Sequence, residues 1–463
     1  MNNNKIGKLL SLQEILAGKE ERQCRQYTFR AQYKTSMVSI TINMPGPLKD
    51  KLILRRLRDY ALRELRKVLE LIAVEELNLP TGPEALVAIE ADGWVIKDIA
   101  VQIEEGYPFC RLLDIDVFNA SGDLLSRRES GKGRGCFVCD SDTAVCIREQ
   151  KHSQAELTFA VEKMLQQFRA HETREVSPQA EKIGALAIKA MLFEVTCTPA
   201  PGLVDRINNG AHQDMDFYSF MASSAALAIP MARCAQAGIN HKGNLKSLLP
   251  VLRIIGIEGE KTMFAATGNV NTQKGLLFLL GIIVGVTGWI MGKGELISLE
   301  AVLTGAAEMV TGIVERELMD AAKKPLQELT AGEVLYITYG VKGIRGELTA
   351  GLPTVKDKGL PALQQALNMG LSINDALVQT LLVLMTCVDD TTVMHRHHPD
   401  KMRIWVREKV QEVIEVGGME TSEGKKRCQA LDGEFITHNV SPGGVADLLA
   451  VTWFLHQLIE EFS

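Results

Sequence analysis

Two domains of different class are what this sequence predicts: an α/β domain built on an antiparallel sheet, followed by an all-α domain. Three observations predict it. The chain has 463 residues, beyond what one ordinary hydrophobic core organises. Its first third holds short runs that alternate apolar and polar residues, the period of half-buried strands. From about residue 180 the alternation gives way to helical periods punctuated by glycine, and the polar, proline-bearing "HETREVSPQA" (171–180) marks the change. The domains are accordingly placed at residues 1–172 and 180–463.

In chain order, "MVSITIN" (37–43) sets Val38, Ile40 and Ile42 against Ser39, Thr41 and Asn43, which is a strand. "PGP" (45–47) ends it, and a long helical pattern follows to about Leu77. "ALVAIEADGWVIKDIAVQI" (85–103) predicts a hairpin around Asp92-Gly93. "RLLDIDVFNASGDLLSRR" (111–128) predicts another, turning at Ser121-Gly122-Asp123. Antiparallel strands with one or two covering helices satisfy this pattern. Farther on, Gly275 to Gly292, "GLLFLLGIIVGVTGWIMG", is uncharged and sits at the lower length limit for spanning a bilayer. No second comparable segment exists and its glycines suit close helix packing, so a buried helix is expected and no membrane partner.

Hydrophobic residues make up 46% and charged residues 23%, a globular balance. Residues 1–170 hold 25 Lys and Arg against 24 Asp and Glu, and the remainder 26 against 33. Neither part has the basic surplus of a general nucleic-acid binder, and no nucleic-acid partner is expected. The start, "MNNNKIGKLLSLQEILAGKEER", lacks the apolar core of a secretory signal and carries acidic residues that transit peptides avoid. Nine cysteines without such a signal point to reduced thiols or a metal site. A cytoplasmic protein is expected.

Asp114 and Asp116 stand two apart on a predicted strand, so both carboxylates leave one face while Leu113, Ile115 and Val117 pack beneath. Such a pair can share one divalent cation, as metal-dependent transfer at phosphate requires, although a solvated strand face has the same pattern. Arg111, Arg127, Arg128 and Arg134 favour phosphate, since guanidinium forks match its oxygens. "GRGCFVCDSDTAVCIREQKH" spaces Cys136, Cys139, Cys146 and His152 as C-x2-C-x6-C-x5-H, enough for tetrahedral zinc but not a standard finger spacing; reduced thiols packed in a loop are the other reading.

With "KEERQCRQ" (19–26) and "MPGPLKD" (44–50), these motifs resemble the phosphoribosyl-dephospho-CoA transferases that modify apo-citrate lyase, over most of residues 8–165. The resemblance implies a nucleotidyltransferase-like fold. It implies transfer of a phosphoribosyl-dephospho-CoA unit from its triphosphate precursor to a serine of the lyase's acyl carrier subunit, with diphosphate released. Asp114 and Asp116 would then hold magnesium, and Arg111, Arg127, Arg128 and Arg134 would grip the triphosphate.

The second domain concentrates polar residues in apolar surroundings. "TPAPGLVDRINNGAHQDM" carries Asp205, Arg206, Asn208, His212 and Asp214; "GNVNTQKG" carries Asn271 and Lys274 before the apolar helix. "GIRGELTAG" adds Arg345, "VDDTT" adds Asp390, and "NVSPGGVADLL" offers Ser441 as N-cap with Asp447 one turn inside. Buried carboxylates at 205, 214, 390 and 447 are costly alone, and magnesium with a polyphosphate would offset that cost. Caps and turns explain any one of these motifs singly. Together, in this order, they resemble the triphosphoribosyl-dephospho-CoA synthases over roughly 180–460, which join ATP to 3′-dephospho-CoA and expel adenine. Gln273 stands where that family often has histidine, and Thr392 where it has asparagine; no acid role is assigned to position 273.

On this reading Asp205, Asp214 and Asp390 hold magnesium, Lys274, Arg206 and Arg345 bind phosphates with Asn208, Asn271, Ser441 and Asp447 around them, and His212 shuttles a proton with an ordinary pKa. Three alternatives stay open: a metal-dependent ADP-ribosyl hydrolase, a zinc adaptor as first domain, and the same chemistry serving malonate decarboxylase.

Overall fold

The computed structural model describes residues 7–127, 135–139, 141–312, 321, 329 and 331–462. It forms two compact units, Met1–His171 and Glu172–Ser463.

The first unit is a four-stranded antiparallel sheet in the order β2-β3-β1-β4, from β1 (Ser36–Ile42), β2 (Leu71–Leu79), β3 (Gly82–Ile89) and β4 (Leu113–Phe118). Alternation works on both faces of the sheet. Val38, Ile40, Val87 and Ile115 point into a core with helices α2 (Leu52–Val68), α3 (Gly93–Gly106) and α5 (Gln154–Glu172), whose Leu54, Leu57, Ile96 and Phe168 are buried there. On the other face Met37, Leu86 and Ala88 meet Phe29 of α1 (Leu12–Tyr33). Polar contacts also seat α1: Arg22 and Arg25 donate to the buried Glu84 at 2.7 and 2.8 Å, and Gln26 donates to Ser39 at 2.9 Å.

Three expected elements differ. The helix after "PGP" stops at Val68, and residues 71–79 are strand β2, where Val74 and Leu77 pair with β3. The hairpin at Asp92-Gly93 is a strand followed by a helix. Asp92 Oδ1 accepts from the N–H groups of Trp94 and Val95, and Ile96, Ala100 and Val101 then recur on the buried side of α3. An N-cap aspartate before glycine looks like a hairpin turn until the apolar spacing beyond it is read as three and four. The predicted hairpin at 111–128 keeps its turn, with Gly122 at φ 94°, but its second arm is only a bridge from Phe118 to Leu124.

The second unit is helical. Its centre is α10 (Lys274–Gly292), of which an 18-residue window is 72% buried. By length and composition alone this helix is long and apolar enough to cross a membrane; here it packs against α6 (Pro178–Thr196), α8 (Ala228–Asn240), α9 (Leu245–Ala266), α11 (Leu299–Val310) and the C-terminal helix Gly443–Phe462. Its glycines allow the approach, since a Cβ on Gly288 would strike the Ala235 carbonyl and one on Gly292 the Ile239 carbonyl. α7 (Phe217–Ala226) closes the side near the first polar loop.

Candidate active sites

In the first unit, β4 is an edge strand, and its outward backbone groups at Ile115 are satisfied by side chains from α3. Glu104 Oε1 accepts from the Ile115 N–H at 2.9 Å, and Lys97 Nζ donates to the Ile115 carbonyl at 3.2 Å. Both side chains are buried. Along this edge a cavity of about 470 Å³ is lined by Asp114, Asp116, Lys97, Glu104, Ser126, Arg127, Asp142 and Thr143 among others. The structure thus brings the two predicted carboxylates into one cavity, with Leu113, Ile115 and Val117 buried beneath them. Arg127 shares that wall and is paired with Glu104 and Glu105. Arg111 donates instead to the Cys136 carbonyl. Arg128 and Arg134 lie outside the described residues.

In the second unit, the loop 197–216 that concentrates polar residues is largely fastened to itself and its neighbours. Asp205 is buried; its Oδ1 accepts from the N–H groups of Ile207 and Asn208 at 2.7 and 3.0 Å, and its Oδ2 from that of Ala200 at 3.3 Å. Asn208 donates to Asp432 at 2.8 Å, and Arg206 donates to Thr198 and Asn374. These three residues hold the loop in shape and are not among those lining the cavity below. Asp390 is likewise a backbone anchor: Oδ1 caps the helix Thr391–Arg396 through Thr392 and Val393, while Oδ2 accepts from Val445 at 2.8 Å. Backbone amides hold both carboxylates because each sits at a chain reversal with N–H groups aimed at it.

The cavity itself measures about 360 Å³. It is lined by Glu194, His212, Asp214, Asn271, Thr272, Gln273, Lys274, Arg396, Ser441 and Asp447, among others. Of the predicted residues, His212, Asp214, Asn271, Lys274, Ser441 and Asp447 meet here. Asn271 Oδ1 accepts from the Lys274 N–H at 3.2 Å and so helps start α10. Ser441 is not an N-cap: its hydroxyl is 2.8 Å from His212 Nε2. Arg345 lines an adjoining, more apolar cavity of about 320 Å³, with Phe278 and Arg253, that shares Lys274, Gly275 and Ile344 with the first.

Sequence reasoning missed Glu194 and Arg396, gave Thr272 a place in the polar group before α10 but no role of its own, and gave Gln273 no part. Burial pushes Glu194 up to about 8. Asp447 is pushed well above the carboxylate range by burial, then by the charges of Glu194 and Asp390. Its Oδ2 lies where a Cβ on Gly275 would be, so the carboxylate rests on the first turn of α10. His212 is lowered from its ordinary value by burial and then by Arg396, whose Nη2 lies 3.4 Å from Nδ1; the expected ordinary pKa is therefore corrected downward. Gln273 is 3% exposed, and its Oε1 accepts from Ser223 at 2.8 Å and Ser224 at 3.3 Å. That fixes the amide with Nε2 unpartnered, and Thr272 Oγ1 is a second buried atom without a partner. The signal for Glu194 was a lone acid in the apolar α6 sequence "KAMLFEVT".

Carboxylates and cations gathered in one cavity of each unit are the equipment of an enzyme that works on phosphorylated substrates at two places. Residues 180–463 match the family of ATP:dephospho-CoA triphosphoribosyl transferases, and residues 10–168 that of apo-citrate lyase phosphoribosyl-dephospho-CoA transferases. A Leuconostoc mesenteroides protein named CitXG is 33% identical over 98% of both chains, and its Haemophilus influenzae counterpart 31% identical over 97% of this chain and 96% of its own. A probable 2-(5″-triphosphoribosyl)-3′-dephosphocoenzyme-A synthase of Malonomonas rubra is 40% identical, covering 62% of this chain and 90% of its own. The chain belongs to the family of fused proteins that join these two domains, and it is an enzyme with transferase activity.

Proposed function

We infer that the chain makes and attaches the prosthetic group of citrate lyase. The second unit joins ATP and 3′-dephospho-CoA into 2′-(5″-triphosphoribosyl)-3′-dephospho-CoA with release of adenine. The first unit transfers the phosphoribosyl-dephospho-CoA portion to a serine of the apo-lyase acyl carrier subunit and releases diphosphate. The observation that carries the second-unit reading is the buried Glu194 and half-buried Asp447 in one cavity, beside unpartnered polar atoms of Thr272 and Gln273.

In the second unit, the 2′-hydroxyl of dephospho-CoA attacks the anomeric carbon of the ATP ribose as the bond to adenine breaks, through an oxocarbenium-like state. His212, held neutral and oriented by Ser441 at Nε2, takes the hydroxyl proton at Nδ1 when the phosphates draw Arg396 from that nitrogen. Lys274 and Arg396 face the phosphates from one cavity and Arg345 from its neighbour. Asp205, Arg206, Asn208 and Asp390 support the walls. Glu194, Asp214 and Asp447 fit magnesium better than Asp205 and Asp390 do, because burial and mutual repulsion leave Glu194 and Asp447 in want of positive charge. Asp114 and Asp116 fit a second ion. Bound there, magnesium supplies neutralisation of charge on phosphate oxygens.

The first unit is read as nucleotidyltransferase-like: its carboxylate pair stands on an edge strand, and Lys97 and Arg127 supply the cations that meet diphosphate. Fusion raises the local supply of the intermediate. All nine cysteines are unpaired, which supports a cytoplasmic setting. The test is to incubate the chain with ATP, dephospho-CoA, magnesium and apo-carrier protein of citrate lyase or of malonate decarboxylase. Free adenine and a mass gain on the citrate lyase carrier are expected; absence of adenine overturns the second-unit reading, and gain only on the malonate carrier overturns the choice of partner.

A further inference from the structure

Ahead of α5 the first unit carries a segment whose described residues, 135–139 and 141–153, contribute no strand, and whose cysteines and histidine neither reaction uses. It is tightly framed: Cys136 N–H donates to the Ser141 carbonyl at 2.8 Å, Gly135 bridges Asp142, and the Thr143 hydroxyl donates to the Gly135 carbonyl at 2.7 Å. Asp142 caps the short helix α4 (Thr143–Arg148) by accepting from the Ala144 N–H. Cys136 and Cys139 lie before this helix, Cys146 within it and His152 after it. One ligand atom from each falls within 4.8 Å of every other. Cys139 Sγ lies 3.4 Å from Cys146 Sγ and 3.3 Å from His152 Nε2.

That spacing is chemical. Sulfur ligands at about 2.3 Å and one nitrogen at about 2.0 Å from a tetrahedral centre stand roughly 3.5–3.8 Å from one another, and the two Cys139 contacts come within a few tenths of an ångström of that. Plain packing of reduced thiols does not require an imidazole nitrogen from another stretch of chain to join them. Backbone amides are aimed at the sulfurs as well: Val138 N–H donates to Cys136 Sγ at 3.4 Å, and Ser141 N–H bonds to Cys139, each two residues past its cysteine. Such bonds hold metal-bound thiolates in place.

We propose that Cys136, Cys139, Cys146 and His152 form a Cys3His zinc site that braces the wall of the Asp114–Asp116 cavity. Three sulfurs and one nitrogen select zinc over magnesium or calcium, which take oxygen. Four protein ligands fill the tetrahedron, so the ion is structural and no substrate reaches it. On binding, each protonated thiol releases its proton to solvent and the imidazole enters neutral. The bracing follows from position. Asp142, Thr143, Ala144 and Ile147, interleaved with the ligands, line the cavity that holds Asp114 and Asp116, and the Cys136 carbonyl takes the Arg111 guanidinium. The metal assignment stands apart from the transfer reaction; only the bracing rests on that reading.

The full-length chain, purified without chelator, is expected to carry one zinc per chain by atomic emission. Exchange with cobalt(II) should give thiolate charge-transfer absorption in the near ultraviolet and the strong visible bands of a tetrahedral ion. A native thiol titration should find three cysteines masked until a zinc-selective chelator such as TPEN is added. Cys139→Ser and His152→Ala, each removing one of the four ligands, should come through purification with well under one zinc per chain, while Cys24→Ser, at an exposed cysteine outside the cluster, should keep the full equivalent. Protein with full carrier-modifying activity that holds no zinc and takes none up when zinc is added, or an intact mass showing a Cys139–Cys146 disulfide, overturns the site. Zinc removal that leaves carrier modification unchanged overturns the bracing alone.

Discussion

His212 Nε2 and Ser441 Oγ lie 2.8 Å apart, although 229 residues separate them in the chain. The contact ties the first polar loop to the start of the C-terminal helix, and Arg396 approaches the other ring nitrogen. The cation and burial both disfavour a protonated ring, so His212 remains neutral below the pH at which an ordinary histidine charges. The acid limb of kcat/KM for adenine release should therefore fall below pH 6.5. Arg396→Gln removes a positive neighbour, which raises the His212 pKa and moves the limb to higher pH. An unmoved limb in that variant, with adenine release still measurable, removes His212 from the proton transfer.

Glu194 yields a stability prediction with a definite sign. Its folded pKa is about 8 against an ordinary 4.5, so between these values the folded chain keeps a proton that the unfolded chain has lost. Stability is full below the lower value, declines as pH rises through the window and levels off above it. Glu194→Gln carries no charge and should escape the decline. Each unit of displacement is worth about 1.4 kcal/mol, so in urea at pH 9 without divalent ions the variant should gain roughly 4 kcal/mol relative to its standing at pH 5. The same variant should lose adenine release, and magnesium should raise the wild-type midpoint at pH 9 but not the variant's.

Gln273 separates fold from substrate binding. Ser223 and Ser224 hold its carbonyl oxygen, and Nε2 is left over. Gln273→Glu keeps the acceptor and the shape but replaces that donor with an acceptor. With a hydrogen bond to a charged group worth about 1.5–3 kcal/mol, kcat/KM should fall roughly tenfold to a hundredfold while the melting temperature near pH 6 shifts little. A variant as active as wild type would show that Nε2 meets no substrate.

What the sequence disclosed, and what it withheld, follows from how local each signal is. Strand β4 with its carboxylate pair was legible because a period of two is written in adjacent residues, and the buried α10 because its apolar run is continuous. The polar loop was legible as important but not as a fastening, since the partners of Asn208 and Arg206, Asp432 and Asn374, lie 224 and 168 residues away. The backbone role of Asp390 was hidden in the same way, since its Oδ2 accepts from the Val445 N–H, 55 residues on. Glu194 showed only as a lone acid in an apolar run, because its role depends on Asp447, which only the packing of α6 against the last helix reveals.

The two sites should fail independently. Asp116→Ala removes one carboxylate from the β4 cavity and should abolish mass gain on the carrier protein while adenine appears at the wild-type rate. Asp447→Ala should do the reverse, with pre-made triphosphoribosyl-dephospho-CoA still transferred. If either substitution stops both reactions while the protein melts as wild type does, the assignment of one reaction to each cavity is wrong.

Gly275 puts the placement of Asp447 to a backbone test. A Cβ at this position meets Asp447 Oδ2 and, at 3.3 Å, the Ile344 side chain, whereas Gly256 in α9 has open space around its missing Cβ although it lines the adjoining cavity. Alanine in place of a helical glycine ordinarily stabilises by about 0.5–1 kcal/mol, and Gly256→Ala should show that gain with adenine release largely intact. Gly275→Ala has the same intrinsic benefit but must push the carboxylate off the first turn of α10, so it should gain little or lose stability and should lose most of its activity. Equal behaviour of the two variants would mean that Asp447 does not need its seat on α10, and that the charge it carries reaches the substrate from elsewhere in the cavity.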